Sequence, residues 1–223
     1  VNVTGEGNLT FAKIVGGYNH YVALKGNGTV WTWGRNNYGQ LGLGDTTNRT
    51  EPEEVKAERT SEKGTTQEEI TDAIDVAAGV HHTLILRKDG TVWAAGRNDY
   101  GQLGNGNTEK STIFHQVKGE NGIGYLQNIV QIVSEKYTSH ALTADGSIYS
   151  WGYNYYGQFG NKTTNGNAST YPEKMQKVSN IIQITAGEHH ISMLDADGSI
   201  WSTGCNSNGQ FGTGTTQSEN VLP

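Results

Sequence analysis

One cysteine, three prolines, no long apolar run and no block of basic residues set the first limits on this 223-residue chain. Cys205 has no second thiol to pair with, which excludes an internal disulfide framework and a cysteine-based zinc site. A lone thiol at a repeated position reads as a small packing residue rather than a nucleophile. No uncharged stretch is long enough to cross a bilayer, so no membrane insertion is expected. Lys and Arg number 16 against 22 Asp and Glu, a net charge of −6, and they are scattered. The electrostatic footprint of a nucleic-acid binder is therefore missing. The chain opens at Val1 with neither a methionine nor a signal peptide, which reads as a fragment or a processed product. Six Asn-x-Ser/Thr sequons begin at Asn2, Asn8, Asn27, Asn48, Asn161 and Asn167, and chance accounts for most of them in a sequence this rich in Asn and Thr.

Glycine, by contrast, is abundant at 31 residues, with a hydrophobic content of 34%. That balance suits many short strands joined by tight turns. The stretch "WTWGRNNYGQLGLG" (31–44) returns as "WAAGRNDYGQLGNG" (93–106), "YSWGYNYYGQFGNK" (149–162) and "WSTGCNSNGQFGTG" (201–214). Its first glycine falls at Gly34, Gly96, Gly152 and Gly204. The intervals are unequal while the local pattern is constant, as expected of one structural unit with insertions confined to its connections. The repeats span approximately 11–55, 70–117, 126–178 and 179–223, with a variable loop over 56–69.

Each unit reads as two apolar runs, a turn and a third run. The first runs are "AKIVGG", "IDVAAG", "VQIVSE" and "IQITAG"; the second are "HYVALK", "HTLILR", "TSHALT" and "HISMLD". Asn-Gly or Asp-Gly pairs ending at Gly28, Gly90, Gly146 and Gly198 predict a hairpin into the third run, because both residue types tolerate positive φ. The third run pairs branched aliphatics (Val30, Val92, Ile148, Ile200) with aromatics (Trp31, Trp93, Tyr149, Trp201). Both of its faces are apolar, as where small sheets stack face to face. Mainly antiparallel β structure is expected, and "TQEEITDAI" (66–74) is the one place for a helical turn.

The pattern "AAGVHHTLILRKDGTVWAAGRNDYGQLG" is similar to the repeat of the regulator of chromosome condensation family. About four such repeats run from Phe11 nearly to the end of the chain. The resemblance implies an all-β fold, a partial, four-repeat β-propeller of antiparallel blade sheets. Seven units, the usual number in that family, would need about 350–420 residues. The chain then corresponds to an arc, with an apolar sheet face uncovered at each end and self-association through those open ends expected.

Three local patterns imitate chemistry. The glycines of "GQLGLG" (39–44) look like a phosphate cradle, but polar loop rather than a helix follows, and the same glycines recur in every unit. "LDADGSI" (194–200) brings Asp195 and Asp197 before Gly198 but lacks the further oxygen ligands and closing glutamate of a calcium loop. His81-His82 and His189-His190 suggest a metal, yet His20, His82 and His190 share one position, three residues after Gly17, Gly79 and Gly187. A periodic histidine is most simply a buried anchor bonding a neighbouring backbone. Repeat three carries Glu135 and Thr138 instead, with His140 out of register, so a reshaped turn is expected there. No metal, cofactor or catalytic group is nominated, and the enzymatic reading is the least favoured.

Strand polarity sorts the loops onto two faces. One, the turn face, carries the Gly-x-x-His turns and the segments after Gly34, Gly96, Gly152 and Gly204. The other, the hairpin face, carries the Asp-Gly hairpins and the variable connections. Positions held constant, such as Trp31, Trp93, Trp201 and Asn36, Asn98, Asn154, Asn206, read as frame. Variable neighbours on the turn face read as a recognition surface: Tyr18, Arg35, Tyr38, Arg97, Asp99, Tyr137, Tyr153 and Tyr155. Tyr38 shares its position with Tyr100 and Tyr156, which also implies packing. The expected function is a non-enzymatic module that binds another protein or a surface ligand, within a larger, bacterial surface or secreted protein. Nucleotide exchange on a small GTPase and inhibition of a β-lactamase are the alternatives.

Overall fold

A computed structural model describes residues 10–61, 64–161 and 168–218. Its strands form four sheets that follow one another along the chain. The first holds β1 (Phe11–Gly16), β2 (His20–Lys25), β3 (Val30–Gly34) and β4 (Arg49–Glu54) in antiparallel order. After β5 (Lys56–Ser61) and β6 (Gly64–Glu69), the second sheet is built on β7 (Ala73–Ala78), β8 (His82–Arg87), β9 (Val92–Gly96) and β10 (Ser111–Gln116). The third contains β11 (Ile129–Ser134), β12 (Thr138–Thr143), β13 (Ile148–Gly152) and β14 (Ser169–Lys174). The fourth contains β15 (Ile181–Ala186), β16 (His190–Asp195) and β17 (Ile200–Gly204) among the described residues. This is the all-β arc of propeller blades that the repeats imply.

The alternating aliphatics pack where neighbouring sheets face each other. Val22, Val30, Ile70, Val76, Ile85 and Phe114 fill the first junction. Leu84, Val92, Leu103, Ile132 and Trp151 fill the second, and Leu142, Ile148, Ile181, Ile184 and Met193 the third. The outer faces show what the junctions hide. Ile14 is 54% exposed, whereas its repeat equivalents Val76, Ile132 and Ile184 are at most 2% exposed. At the other end Ile200 is 67% exposed, whereas Val30, Val92 and Ile148 are fully buried. In the first three sheets the hairpin glycine abuts the segment leading into the next sheet: a Cβ on Gly28 would lie 2.3 Å from the Thr71 carbonyl oxygen. Gly198 meets nothing. These four glycines adopt φ between 78° and 87°, as their hairpins require.

The sheets are also stitched by buried polar groups. His20 Nε2 lies 3.0 Å from the Thr83 hydroxyl, which donates to the Gln40 carbonyl at 2.7 Å. His82 Nε2 lies 3.0 Å from the Ser139 hydroxyl, which donates to the Gln102 carbonyl at 2.9 Å. The anchor expected to bond neighbouring backbone therefore reaches it through a hydroxyl of the next sheet. The glycine before each histidine is required for space: a Cβ on Gly79 would lie 2.2 Å from His82 Cε1.

Two expectations are corrected. The turn of repeat three is not reshaped, since the Glu135 amide donates to Thr138 O at 3.0 Å just as Gly79 donates to His82 O at 2.9 Å. Only side chains are exchanged. Thr138 brings no ring, so Glu135 fits, and its carboxylate lies 3.4 Å from His140 Nε2 while His140 Nδ1 meets Ser150 Oγ at 2.8 Å. Nor does 66–74 form a helical turn: β5 and β6 pair residue for residue as a hairpin, which joins the edge of the second sheet where Ala57 bridges Phe114. Pairing along that ladder satisfies backbone groups that one helical turn would leave open, and Ile70 goes into the core. Among the described residues the one helical segment is a 3₁₀ turn, Glu120–Gly122.

Candidate interaction surface

The repeated "WGRNNYGQLG" folds as a self-stapled turn. Asn36 is fully buried, and its Oδ1 accepts the Leu41 amide at 2.9 Å. Asn98 does the same for Leu103, Asn154 for Phe159 and Asn206 for Phe211, each at 2.9 Å. The Tyr38 amide donates to Gln40 Oε1 at 3.0 Å, and those of Gly39 and Gly42 donate to backbone carbonyls. These amides are committed within the turn, so the glycines form no anion cradle. The Asp195 carboxylate is likewise committed to the amides of Asp197 and Ser199 and to the Trp201 indole N–H.

Stapling fixes what the turn displays. The residue after each repeated glycine is tied to the first turn of its own sheet: Arg35 N donates to Asn19 O, Arg97 N to His81 O, Tyr153 N to Tyr137 O and Cys205 N to His189 O, at 2.8–3.0 Å. Adjacent first turns are joined too, Tyr18 N to Val80 O at 3.3 Å and Val80 N to Lys136 O at 3.1 Å. The side chains then meet across each junction. Tyr38 of sheet one stacks on His81 of sheet two at 4.8 Å. Tyr100 of sheet two packs on Tyr137 of sheet three at 5.2 Å, and Tyr156 of sheet three on His189 of sheet four at 4.7 Å.

Between these pairs lie the variable residues. Tyr18 meets His81 edge-on at 6.1 Å. The Arg97 guanidinium lies 5.2 Å from the Tyr38 ring and 5.1 Å from Tyr137, with its Nε 2.5 Å from Asp99. Tyr153 touches Tyr100 at 5.0 Å and stacks on Tyr155 at 6.1 Å. The result is an aromatic stripe across all three junctions, bridged by Arg97 between Tyr38 and Tyr137, with Tyr18 and Tyr155 well exposed. Arg35 stands beside it, near enough to help depress the His81 pKa. Cys205, half-buried, occupies the equivalent of Arg35, Arg97 and Tyr153.

Charge along the stripe is unequal. Burial, with Arg35 and Arg97 nearby, lowers the His81 pKa, and burial also leads the lowering at His189, so both imidazoles are neutral at pH 7. Burial opposes the Arg97 charge, but Asp99 outweighs it and holds the pKa above its usual value. Desolvation, then Tyr156, Tyr100 and Tyr155, raises the Tyr153 phenol. Lys136 pairs with Glu188 at 2.7 Å between sheets three and four. Such a surface offers flat rings, phenol hydroxyls and two compensated cations.

All eight residues read from the sequence as a recognition surface come to the turn face. Four more, His81, Tyr100, Tyr156 and His189, complete the stripe. Their signal was present in two separate columns of the repeat, the constant tyrosine and the variable first-turn residue. That these columns touch across a junction is a tertiary fact.

The geometry defines an arc of β-propeller blades displaying loops on a rigid frame. Regulator of chromosome condensation (RCC1) repeats match residues 27–86, 89–134 and 145–194, and a second form of that repeat matches 11–40, 73–102, 129–158 and 181–210. The chain belongs to the RCC1 repeat family. It is similar to the probable E3 ubiquitin-protein ligase HERC4 of Mus musculus, 32% identical over 219 residues, 96% of this chain and 19% of that protein. The ultraviolet-B receptor UVR8 of Arabidopsis thaliana is 31% identical over 95% of this chain and 45% of its own length. Among solved structures, human WBSCR16 superposes with a TM-score of 0.79 at 20% identity, over 97% of this chain and 53% of that one. Prp20p of Saccharomyces cerevisiae gives 0.55 at 24% identity, over 86% and 56%. The chain thus spans under half the length of these curated relatives, and it corresponds to a repeat domain.

Proposed function

We propose that this repeat domain is a non-enzymatic binding module whose turn face docks a protein partner. The observation that carries the reading is the run of packed rings from Tyr18 to His189 across three sheet junctions, joined between Tyr38 and Tyr137 by the Arg97 guanidinium. Tyr and Arg give large contact area with a polar tip at low entropic cost, and a rigid frame limits the ordering penalty further. Yeast Prp20p, of the same fold, has been studied for binding to Gsp1p and histones. Protein recognition is the shared element; exchange on a GTPase and inhibition of a β-lactamase each demand a partner that nothing in the stripe selects.

Replacing Arg35, Tyr137 and Tyr153 together with Ala is expected to leave the β-sheet circular dichroism intact and to weaken capture of a partner at least tenfold. Deleting 56–69, which strand polarity assigns to the hairpin face, is expected to change binding little. Binding lost on the deletion and kept in the triple variant would put recognition on the wrong face. The finer form of the proposal places the module in a secreted or cell-surface parent. A signal peptide in the encoding reading frame would support that placement, and a nuclear signal or ligase domain would replace it. Exposed Ile14 and Ile200 further support self-association through the outer sheet faces.

A further inference from the structure

In the first two sheets the aromatic that opens the third strand carries a cation from the end of the second strand. Lys25 Nζ lies 4.1 Å from the centre of the Trp31 ring, and the Arg87 guanidinium 5.6 Å from Trp93. The third sheet has Thr143 and Tyr149 at these two positions. Thr143 is buried, its hydroxyl engaged by the Asp145 carboxylate and 2.9 Å from Ser147 O. Among the described residues, no cation lies over the Tyr149 ring.

What stands there instead is a cavity of about 440 Å³ on the hairpin face, remote from the aromatic stripe. The connection between β10 and β11 supplies Glu120, Ile123 and Tyr125, the β12–β13 hairpin supplies Asp145, and Tyr149 lines the side toward the sheet. Burial, then the charges of Glu120 and Asp145, raises the Tyr149 phenol pKa, so both carboxylates act on this ring. Tyr125 already bears a cation, Lys118 Nζ at 4.6 Å from its centre. Lys174, cross-strand from Tyr149, lies near enough to favour the Asp145 charge.

We propose that this cavity binds an alkylammonium head, with the Tyr149 ring against the cation and Glu120 and Asp145 as counter-charges. The ring and the Ile123 wall suit a weakly hydrated organic cation, which exchanges water for an aromatic face at little desolvation cost. A metal ion would need a set of hard ligands, and no group of three His, Cys, Asp or Glu able to hold one occurs among the described residues. Sheets one and two supply their own occupant at this place, and sheet three takes one from outside. The same chemistry comes as a free amine or as a methylated lysine on a peptide.

Amide correlation spectra of the whole chain distinguish these sources. The probes are choline, its uncharged carbon isostere, and a capped peptide with one trimethyllysine. Saturable shifts at Glu120, Tyr125 and Ser147 are expected with choline or the peptide and not with the isostere. Peptide binding at least tenfold tighter than choline would point to a protein-borne ligand, and the reverse to a free amine. Thr143→Lys is expected to abolish the shifts by seating its own amine over Tyr149, as Lys25 does over Trp31. Glu120→Gln with Asp145→Asn should weaken binding about tenfold. The turn tolerates that change, because Asn27 holds the equivalent position in sheet one. Absence of saturation with both cations, equal binding of the isostere, or unchanged binding in Thr143→Lys would overturn the proposal.

Discussion

Acidification from pH 7 to pH 5 should destabilise the arc through two histidines buried beneath its turn face. His20 and His82 are fully buried. Burial, with His81 beside His20, lowers the pKa of His20 to about 4. Burial, with His20 and His81, lowers that of His82 to about 3. In the unfolded chain both return to about 6.5. Below that value the unfolded state takes up protons that the folded state refuses, so stability falls as pH falls. The loss runs from pH 6.5 down to about 4 for His20 and about 3 for His82. At pH 5, 1.5 units below the unfolded pKa, each histidine contributes a loss of roughly 2 kcal/mol, about 4 kcal/mol together. His81 and His189 are lowered in the same direction and add to it. Carboxylates held below their usual pKa, such as Asp45 by Arg49 and Asp145 by Thr143, act only at lower pH and leave this window clear. Urea unfolding at pH 7, 6 and 5 measures the effect. His82→Gln should lower stability at pH 7 but shrink the loss between pH 7 and 5 by about 2 kcal/mol. A flat profile over this range, or an unchanged slope in His82→Gln, would refute the account of the buried relay.

Three other outcomes follow from the same geometry. Gly79→Ala brings a methyl within 2.2 Å of His82 Cε1 and 2.7 Å of Glu135 O. It should lower stability by about 2–3 kcal/mol in thermal or urea unfolding, and a near-neutral result would mean that the imidazole can move aside. Sedimentation of the unmodified chain should show association, reduced by Ile14→Lys or Ile200→Lys, and a stable monomer at high concentration would count against the open faces. The triple substitution at Arg35, Tyr137 and Tyr153 should separate binding from folding, with unfolding free energy changed much less than affinity.

Most of the frame was legible because each element is specified locally and stated several times. An Asn-Gly or Asp-Gly pair at Gly28, Gly90, Gly146 and Gly198 names its hairpin without reference to distant chain. The histidine anchor was legible as buried, but its partner was not, because Thr83 and Ser139 reach it only when the sheets stack. The β5–β6 hairpin was missed because its residues are polar apart from Ala57, so neither helical nor strand periodicity shows; its pairing comes from the ladder itself and the bridge to β10. The stripe lies between these cases. Repetition marks Tyr38, Tyr100 and Tyr156 as structural, and each closes a junction by packing on a ring of the next sheet. What each packs on changes along the arc: a histidine at the first and third junctions (His81, His189) and a tyrosine at the second (Tyr137). A repeated ring set against a changing neighbour gives each seam a packing contact and, on the proposed binding role of this face, a patch that can be tuned separately. The hairpin face shows a comparable division: with Thr143 in place of Lys25 or Arg87 the backbone bonds of the turn are kept, while the cation over the ring is exchanged for a hydroxyl that bonds Asp145 and Ser147 O.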